Sequence, residues 1–346
     1  MLPYFLVLSF VLLWILLERK ALNRPAFWVP LAALTLFAGM RSYRVGTDSG
    51  NYTKDFRNNL DVYNFEFSKF VEPGYQALEY NLLKYTDSYF WLFFITALIV
   101  VSCYLIIIKK YSVNYWFSVF LFITLGVYTF FFNGLRQGLA MAIFALALPY
   151  LLEKRLIPYL LICFLGSMFH NSALFMIPFY FVVNVRIKPT YRILATFIGS
   201  LLVSGFLISY FAASNERYQS YADADQKGGG YLTLGFYTLL LLVIYFVSHI
   251  YKIRDKQFMQ LFTFYAVGVV FLIPIAMLGA NPSGPQRLLT FFTWTLVLIL
   301  PIVFKRINNA YVTSIAAILF LFYFILTTST FSKLTPYIIN PIFEIF

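Results

Sequence analysis

An all-α, polytopic membrane protein is the fold class that this sequence predicts, from its composition and from the spacing of its charges. Of its 346 residues, 61% are hydrophobic, 21% aromatic and only 12% charged. The mean hydropathy of +0.77 exceeds what soluble domains carry. Since one crossing of a bilayer takes about 20 apolar residues, the length leaves room for about ten spans. We expect residues 1–346 to form a single integral membrane domain.

The apolar runs that lie between charged residues are each interpreted as one membrane span. They cover residues 2–17, 26–41, 90–108, 114–131, 135–152, 193–213, 232–251, 258–280, 287–304 and 309–331. The first run has no basic segment before it and no small-residue cleavage site after it. We therefore expect it to be a retained helix and not a signal peptide.

Residues 156–185 are long enough for one tilted span, or for a helical hairpin whose two short arms break around Phe169, His170 and Asn171. Short loops rich in Lys and Arg stay on the cytoplasmic side of a membrane, so the basic residues decide between the two. A hairpin places the following on one side: Arg19, Lys20, Arg24, Lys109, Lys110, Lys154, Arg155, Arg186, Lys188, Arg192, Lys252, Arg254, Lys256, Lys305 and Arg306. A single span would carry the later clusters outside. We therefore predict a broken, re-entrant hairpin.

This orientation leaves one long extracytoplasmic loop, residues 42–89, and a second, smaller outer loop, residues 214–231. Seven of the fourteen acidic residues lie in the long loop: Asp48, Asp55, Asp61, Glu66, Glu72, Glu79 and Asp87. No internal repeat of the kind that marks many secondary transporters is found. The polar chemistry of the protein is therefore expected at its outer face.

Several kinds of chemistry are disfavoured by what the sequence lacks. The two cysteines, Cys103 and Cys163, lie inside apolar runs, without a disulfide framework or a zinc or iron–sulfur signature. There is no P-loop, dinucleotide fingerprint, HExxH motif or obvious aspartate pair for a divalent metal. No acid lies within a predicted span, which argues against proton- or sodium-coupled transport. We expect no metal, no cofactor and no nucleic-acid partner, and a substrate that is activated beforehand.

The most informative segment is residues 132–140, at the outer start of the fifth predicted span. Asn133 is a candidate helix cap, and Arg136 and Gln137 follow it at spacings that place all three on one helix face. The start of a helix already carries partial positive charge, so an arginine in its first turn needs an anion beside it. This pattern favours a phosphate site. The alternative is that Arg136 snorkels to the lipid headgroups.

His170 lies in a polar break between two apolar arms, far along the chain from any basic cluster. Non-helical backbone at membrane depth persists only where protein or water surrounds it, so the break is expected to line a cavity. An ionisable side chain at such a place is a functional candidate by default. The alternative is a histidine that bonds backbone carbonyls and only stabilises the break.

The start of the long outer loop carries two further arginines. Arg41 and Arg44 are candidate substrate contacts, although cations are favoured at a helix C-terminus in any case. Glu72 and Asp48 are candidate general bases for a bound hydroxyl. With seven acids in the loop, most are expected to be solvated charges or salt-bridge partners.

A turn-rich outer connection, residues 281–287, starts a later predicted span and again places an arginine, Arg287, in the first turn. Two outer helix starts that each carry an arginine indicate a shared anion. Guanidinium groups bind phosphate oxygens bidentately, so a diphosphate is the candidate ligand.

The ordered set of these segments resembles the EpsG family of bacterial membrane proteins, which belongs with the Wzy-type O-antigen and exopolysaccharide polymerases. The resemblance covers about residues 40–290, and its features are Arg44-Val45-Gly46-Thr47-Asp48 with Tyr52, Glu72-Pro73-Gly74-Tyr75, Leu135-Arg136-Gln137-Gly138, and Phe169-His170-Asn171-Ser172-Ala173. Weaker similarities are Arg217-Tyr218 with Tyr221, and Arg287. Each motif alone is short, whereas their order on a polytopic background is fairly specific.

The resemblance implies a glycosyltransferase of the bacterial cytoplasmic (inner) membrane whose active site faces the periplasm or exterior. It would build O-antigen, as in lipopolysaccharide, or exopolysaccharide by transferring a growing glycan from undecaprenyl diphosphate to a lipid-linked repeat unit. No cofactor and no essential metal would take part. Its partners would be the undecaprenyl-diphosphate-linked oligosaccharide, membrane lipid and, as an option left open, a chain-length regulator.

In that reaction Arg136 and Arg287 would meet the charge of the diphosphate. His170 would position or protonate the departing phosphate or activate the acceptor hydroxyl, and Glu72 or Asp48 is the alternative base. Further contacts to the diphosphate or glycan are assigned to Arg44, Arg41, Asn133, Gln137, Arg217 and Tyr52. Two rival functions are a lipid-linked oligosaccharide flippase or other transporter, and a related membrane transferase such as a glycan ligase.

Overall fold

The computed structural model describes residues 1–214, 231–277, 285–330 and 332–343. Within these ranges the regular structure is helical, apart from one isolated antiparallel bridge that pairs Arg41 with Ile339. The predicted all-α class is therefore confirmed. The predicted outer loop 214–231 falls almost entirely outside the described residues, as does most of the connection before Arg287.

Thirteen longer helices organise the described part of the chain. They are α1 Leu2–Leu22, α2 Trp28–Gly39, α3 Pro73–Leu83, α4 Phe90–Tyr111, α5 Tyr115–Thr124, α6 Leu135–Ala145, α7 Leu156–Ser167, α8 Ile177–Asn184, α9 Pro189–Ser214, α10 Tyr231–Ile250, α11 Lys256–Met277, α12 Leu296–Ile307 and α13 Ala310–Thr330. Short α-helices occupy Ser49–Tyr52, Lys54–Arg57, Val127–Phe130, Leu148–Leu152 and Thr290–Thr293, and 3-10 helices occupy Val62–Asn64, Asn171–Met176, Pro285–Leu289 and Pro341–Phe343.

Four of the described helices, α4, α10, α11 and α13, are long and apolar enough to cross a membrane. A fifth candidate is the pair Arg287–Thr293 and Leu296–Ile307, which is bent by 42°. Most apolar side chains of α13 are exposed, with Ile318 at 66% and Phe322 at 62%, as expected of a surface that lies in lipid. The chain is therefore a membrane protein, while the count of about ten spans remains a prediction.

Two predicted spans are each divided into shorter helices. In the span predicted at residues 114–131, helix α5 ends at Thr124 and a new helix begins after Gly126, whose φ of 77° is left-handed. In the span predicted at residues 135–152, α6 ends at Ala145 and a short helix resumes at Leu148. Pro149 lies at the start of that second helix, where its missing N–H breaks no helical hydrogen bond. Because the residues around both breaks are apolar, the breaks could not be predicted from hydropathy.

The contacts divide the chain into two units, and the first contains residues 1–148, 160–174 and 309–346. In this unit α2 and α6 pack on α4, and α1 and α13 pack on α5. The core is aromatic and fully buried, with Phe93, Phe122, Phe131 and Tyr128 among its largest side chains. All of the long polar segment 42–89 belongs to this unit.

The second unit contains residues 149–159 and 175–308. Helix α11 lies at its centre and contacts α8, α9, α10 and α12. Tyr265 and Trp294 are buried there, with Phe292 packed against Phe264 at 4.9 Å between ring centroids. The unit is thus a helical bundle around one apolar helix.

Backbone hydrogen bonds hold the polar segment 42–89 to the segment that follows α13. The amide of Ser42 donates to the carbonyl of Ile338 at 2.8 Å, and the amide of Gly46 donates to the carbonyl of Lys333 at 2.9 Å. In the other direction, the amide of Asn340 donates to the carbonyl of Met40 at 2.8 Å. The start of the polar segment is therefore attached to the non-helical residues that follow α13.

Candidate functional site

The candidate site of the first unit is built around an ion pair between Glu72 and Arg136. Glu72 directly precedes α3, and Arg136 lies in the first turn of α6. Arg136 Nη1 donates to Glu72 Oε2 at 2.6 Å, and the two side chains are only 20% and 9% exposed. A short charge-assisted bond between two partly buried groups is stronger than an ordinary surface salt bridge.

The ion pair explains why an arginine can lie at the start of α6. The amides of a first helical turn repel a cation, so the sequence predicts an anion beside Arg136. The anion in the structure is the Glu72 carboxylate, which directly precedes another helix, α3. Neither a phosphate nor snorkelling is needed to explain the position of Arg136, although its guanidinium retains further N–H donors.

The same carboxylate connects Arg136 to the break that contains His170. Glu72 Oε1 accepts a hydrogen bond from the amide of Asn171 at 3.2 Å. Beside it, the amide of Gly74 donates to the carbonyl of Met168 at 2.7 Å. The start of α3 thus bridges the guanidinium on one side and the backbone around His170 on the other.

His170 lies between α7 and a 3-10 helix, at the place where the sequence predicts a break. Its Nδ1 is 2.7 Å from the hydroxyl of Ser172 and accepts from the amide of Ser172 at 3.2 Å. Since a backbone amide can only donate, the neutral ring carries its proton on Nε2. The imidazole is therefore held as a hydrogen-bond donor through Nε2, and not as a base at that atom.

Asn133 is not the helix cap that the sequence predicts. The residue at the N-cap of α6 is Gly134, which has no side chain to bond the first-turn amides. The Asn133 amide oxygen instead accepts from the amide and the hydroxyl of Thr47, at 2.6 and 3.0 Å. Asn133 therefore connects the polar segment to the start of α6, while Gln137 is buried within α6 at 4% exposure.

Arg41 is fully buried and does not join the Glu72 ion pair. Its guanidinium carbon lies 3.7 Å from the centroid of the Phe93 ring and 4.3 Å from that of Phe132. Nη1 donates to the carbonyl of Ala38, whereas Nε and Nη2 have no hydrogen-bond partner in the described part of the chain. Cation–π contact replaces a counter-ion at this position.

The other predicted contacts of the polar segment are placed as follows. Arg44 is exposed and its Nε lies 3.4 Å from the hydroxyl of Tyr43. Asp48 directly precedes the short helix Ser49–Tyr52 and does not cap it with its side chain. Tyr52 lies beside Arg136, with which its hydroxyl interacts. Tyr52 is thus brought to the ion pair.

Arg287 belongs to the second unit, and Arg217 lies outside the described residues. Arg287 is in a 3-10 helix, Pro285–Leu289, and not in the first turn of an α-helix. Its carbonyl accepts from the hydroxyl of Thr290 at 2.6 Å. The local geometry therefore differs from that of Arg136, to which the sequence makes it look equivalent.

Two residues of the site that sequence reasoning missed are Tyr75 and Glu79. Both lie on α3, three and seven residues after Glu72, so they share its helix face. The Arg136 guanidinium carbon is 5.8 Å from the Tyr75 ring centroid. Burial and the nearby Asp55 carboxylate raise the pKa of Glu79 to about 7, against the opposing effect of Arg136. The helical spacing of Glu72, Tyr75 and Glu79 was the signal that could have identified them.

No group of three His, Cys, Asp or Glu side chains is placed to hold a metal ion within the ranges that the structure describes. The side chains that meet at the site are a guanidinium, carboxylates and tyrosines, next to an imidazole held by its own loop. Of these groups, the guanidinium can bind a phosphate ester, and the carboxylates and tyrosines can bind hydroxyl groups.

The fold and the site define an α-helical membrane protein with a partly buried ion pair between the start of α3 and the start of α6. The chain belongs to the EpsG family, whose model matches residues 26–339, nearly the whole chain. That family is a Wzy-type polymerase-like family, associated with polysaccharide synthesis at membranes. Comparisons with curated proteins and with solved structures gave no match.

Proposed function

We propose that this protein is a polysaccharide polymerase that transfers a growing glycan from undecaprenyl diphosphate to a lipid-linked repeat unit at the outer face of the cytoplasmic membrane. The observation that carries the proposal is the Glu72 carboxylate, which binds Arg136 on one oxygen and the amide of Asn171 on the other. The Arg136 cation and the backbone amide that follows His170 therefore bind the same carboxylate.

The proposed reaction breaks the bond between the anomeric carbon of the donor sugar and the diphosphate oxygen. The diphosphate leaves with the electron pair, so the barrier falls when positive groups meet the developing charge. Arg136 supplies a fixed cation whose orientation Glu72 maintains. His170 supplies a donor at Nε2 that hydrogen-bonds the departing oxygen.

The proposal predicts a specific defect in the surface glycan. Cells that lack the protein are expected to make only single-repeat glycan, and the wild-type gene should restore the ladder on a gel. His170→Ala should fail to restore it, whereas His170→Gln should restore part of it because a glutamine amide can replace the Nε2 donor. Arg19→Ala, an exposed change at the end of α1, is the control and should restore the full ladder.

A normal ladder in the deletion would remove the polymerase function. Long lipid-linked chains in the deletion would indicate a ligase, and accumulation of repeat units on the cytoplasmic leaflet would indicate a flippase.

The outward orientation of the site predicts a labelling pattern. Asn171 is exposed, and Lys154 lies in an exposed turn on the side predicted to be cytoplasmic. A membrane-impermeant maleimide should label Asn171→Cys in intact spheroplasts, and should label Lys154→Cys only after the membrane is opened. Cys103 and Cys163 are buried, so background labelling should be low. Labelling of residue 171 from the cytoplasm alone would reverse the proposed orientation.

A further inference from the structure

A cavity of about 320 Å³ opens within the polar segment, between residues 55–71 and helix α3. This volume lies at the small end of the about 300–1,000 Å³ typical of ligand sites. The residues that line it are Asp55, Leu60, Asn64, Phe65, Glu66, Ser68, Val71, Gln76 and Glu79. Nothing in the proposed handling of the diphosphate uses this cavity.

The chemistry of the walls identifies the class of ligand. Carboxylates, amides and a hydroxyl alternate with apolar side chains, and none of the described residues that line the cavity is Lys or Arg. Such walls repel phosphate and accept hydrogen bonds from hydroxyl groups. Phe65 belongs to an aromatic cluster with Phe67 and Tyr80, at centroid distances of 5.1 and 5.6 Å. An aromatic face beside hydroxyl-binding groups fits a sugar ring.

Tyr75, which does not line the cavity, carries a buried hydroxyl that the charges of Glu79 and Arg136 both influence. Tyr75 is only 3% exposed, and its hydroxyl has no hydrogen-bond partner among the residues that the structure describes. The charges that act on this hydroxyl include Glu79 and Asp55 from the cavity wall and Arg136 from the ion pair. Buried polar groups are nearly always satisfied, so this hydroxyl is free to bond a polar group that binds beside Glu79 and Arg136.

The ionisable groups around Glu79 determine when it can accept a proton. Asp55 faces it from the polar segment and disfavours its negative charge, whereas Arg136 from α6 favours that charge. Glu66 lines the same cavity, and Tyr75 shares the helix of Glu79. Because burial has the largest effect, the pKa of Glu79 rises to about 7, where a carboxylate is an effective general base at neutral pH.

We propose that this cavity binds the acceptor sugar of the lipid-linked repeat unit and that Glu79 accepts the proton of the attacking hydroxyl. The inference rests on the proposed polymerase function and names the acceptor side of that reaction. The hydroxyl oxygen forms the new bond to the anomeric carbon while the bond to the diphosphate breaks. The hydroxyl proton passes to the Glu79 carboxylate and then to water, and the diphosphate leaves with the electron pair.

The test is the pH dependence of polymerisation by the purified full chain in proteoliposomes. The probe is the undecaprenyl-diphosphate-linked repeat unit extracted from cells that lack the protein. A base with a pKa of about 7 must be ionised to act, so the wild-type rate should fall about tenfold between pH 8 and pH 6. Glu79→Gln should lower the plateau rate by about 10²–10⁴-fold and remove this dependence.

A second variant distinguishes a base from a merely structural residue. Asp55→Asn removes the charge that raises the pKa of Glu79, so the midpoint of the pH profile should move to lower pH. Asp87→Asn is the control, because Asp87 is an exposed acid of the same segment outside the cavity. Gel filtration in detergent reports whether each variant is folded.

The outcomes separate the two proposals. If the wild-type protein forms no polymer from this probe, the proposed function is overturned together with the inference. If the wild type forms polymer and Glu79→Gln has the same rate and the same pH profile, only the role of Glu79 and its cavity is overturned. A midpoint that Asp55→Asn leaves in place also contradicts the assignment of Glu79 as the base.

Discussion

Arg136→Ala is expected to abolish polymer formation and to destabilise the protein, the largest effect that the structure predicts. Removal of the guanidinium leaves the Glu72 carboxylate, which is only 9% exposed, without its counter-ion. Breaking a buried ion pair by deleting one partner costs about 3–5 kcal/mol of stability. The ladder of surface glycan and the thermal melting of the purified protein in detergent measure the two effects.

The double variant Arg136→Ala with Glu72→Ala separates stability from activity. Deleting both charges removes the unpaired carboxylate, so the double variant should melt at a higher temperature than Arg136→Ala alone. It should still form no polymer, because the cation that meets the diphosphate is gone. Arg136→Lys keeps the charge but loses the planar pair of donors, and is expected to retain only part of the activity. A normal ladder from the double variant would reduce the ion pair to a structural role.

The fold class follows from composition, whereas the ends of the helices do not. The all-α membrane class depends on mean hydropathy and on the length of apolar runs, which average over many residues. Helix breaks depend on single residues such as Gly126 and Pro149, both of which lie inside runs that remain apolar. Averaging over a window therefore predicts one span where the backbone forms two helices.

Only those features of the candidate site that depend on residues close together in the sequence could be predicted. The start of α6 shows that Arg136 needs an anion, and that much depends on the helix dipole alone. The identity of the anion depends on a contact between residues that are 64 positions apart, which one sequence does not reveal. The same holds for Asn133, which has the residue type of a helix cap but bonds Thr47, 86 positions away.

A glycine at the start of α3 permits a close backbone contact at the site. A Cβ atom placed on Gly74 would lie 2.7 Å from the carbonyl oxygen of Met168 and 2.9 Å from its Cβ. The nearer of these atoms belongs to the backbone, so no change of rotamer can relieve the contact. The two segments must move apart, although the amide of Gly74 donates to that same carbonyl. We expect such a movement to weaken the nearby bond from Asn171 to Glu72.

Gly74→Ala is therefore expected to cost about 1–3 kcal/mol of stability and to reduce polymer formation well beyond what that loss explains. The reason is that the added methyl group pushes the backbone around His170 away from the carboxylate that holds Arg136. Gly50→Ala is the matched control, because its nearest neighbour would be a Tyr43 ring atom at 3.9 Å. The ladder and the melting temperature are measured for both variants. If Gly74→Ala lowers the melting temperature but leaves the ladder intact, the contact stabilises the fold without positioning the two groups for reaction.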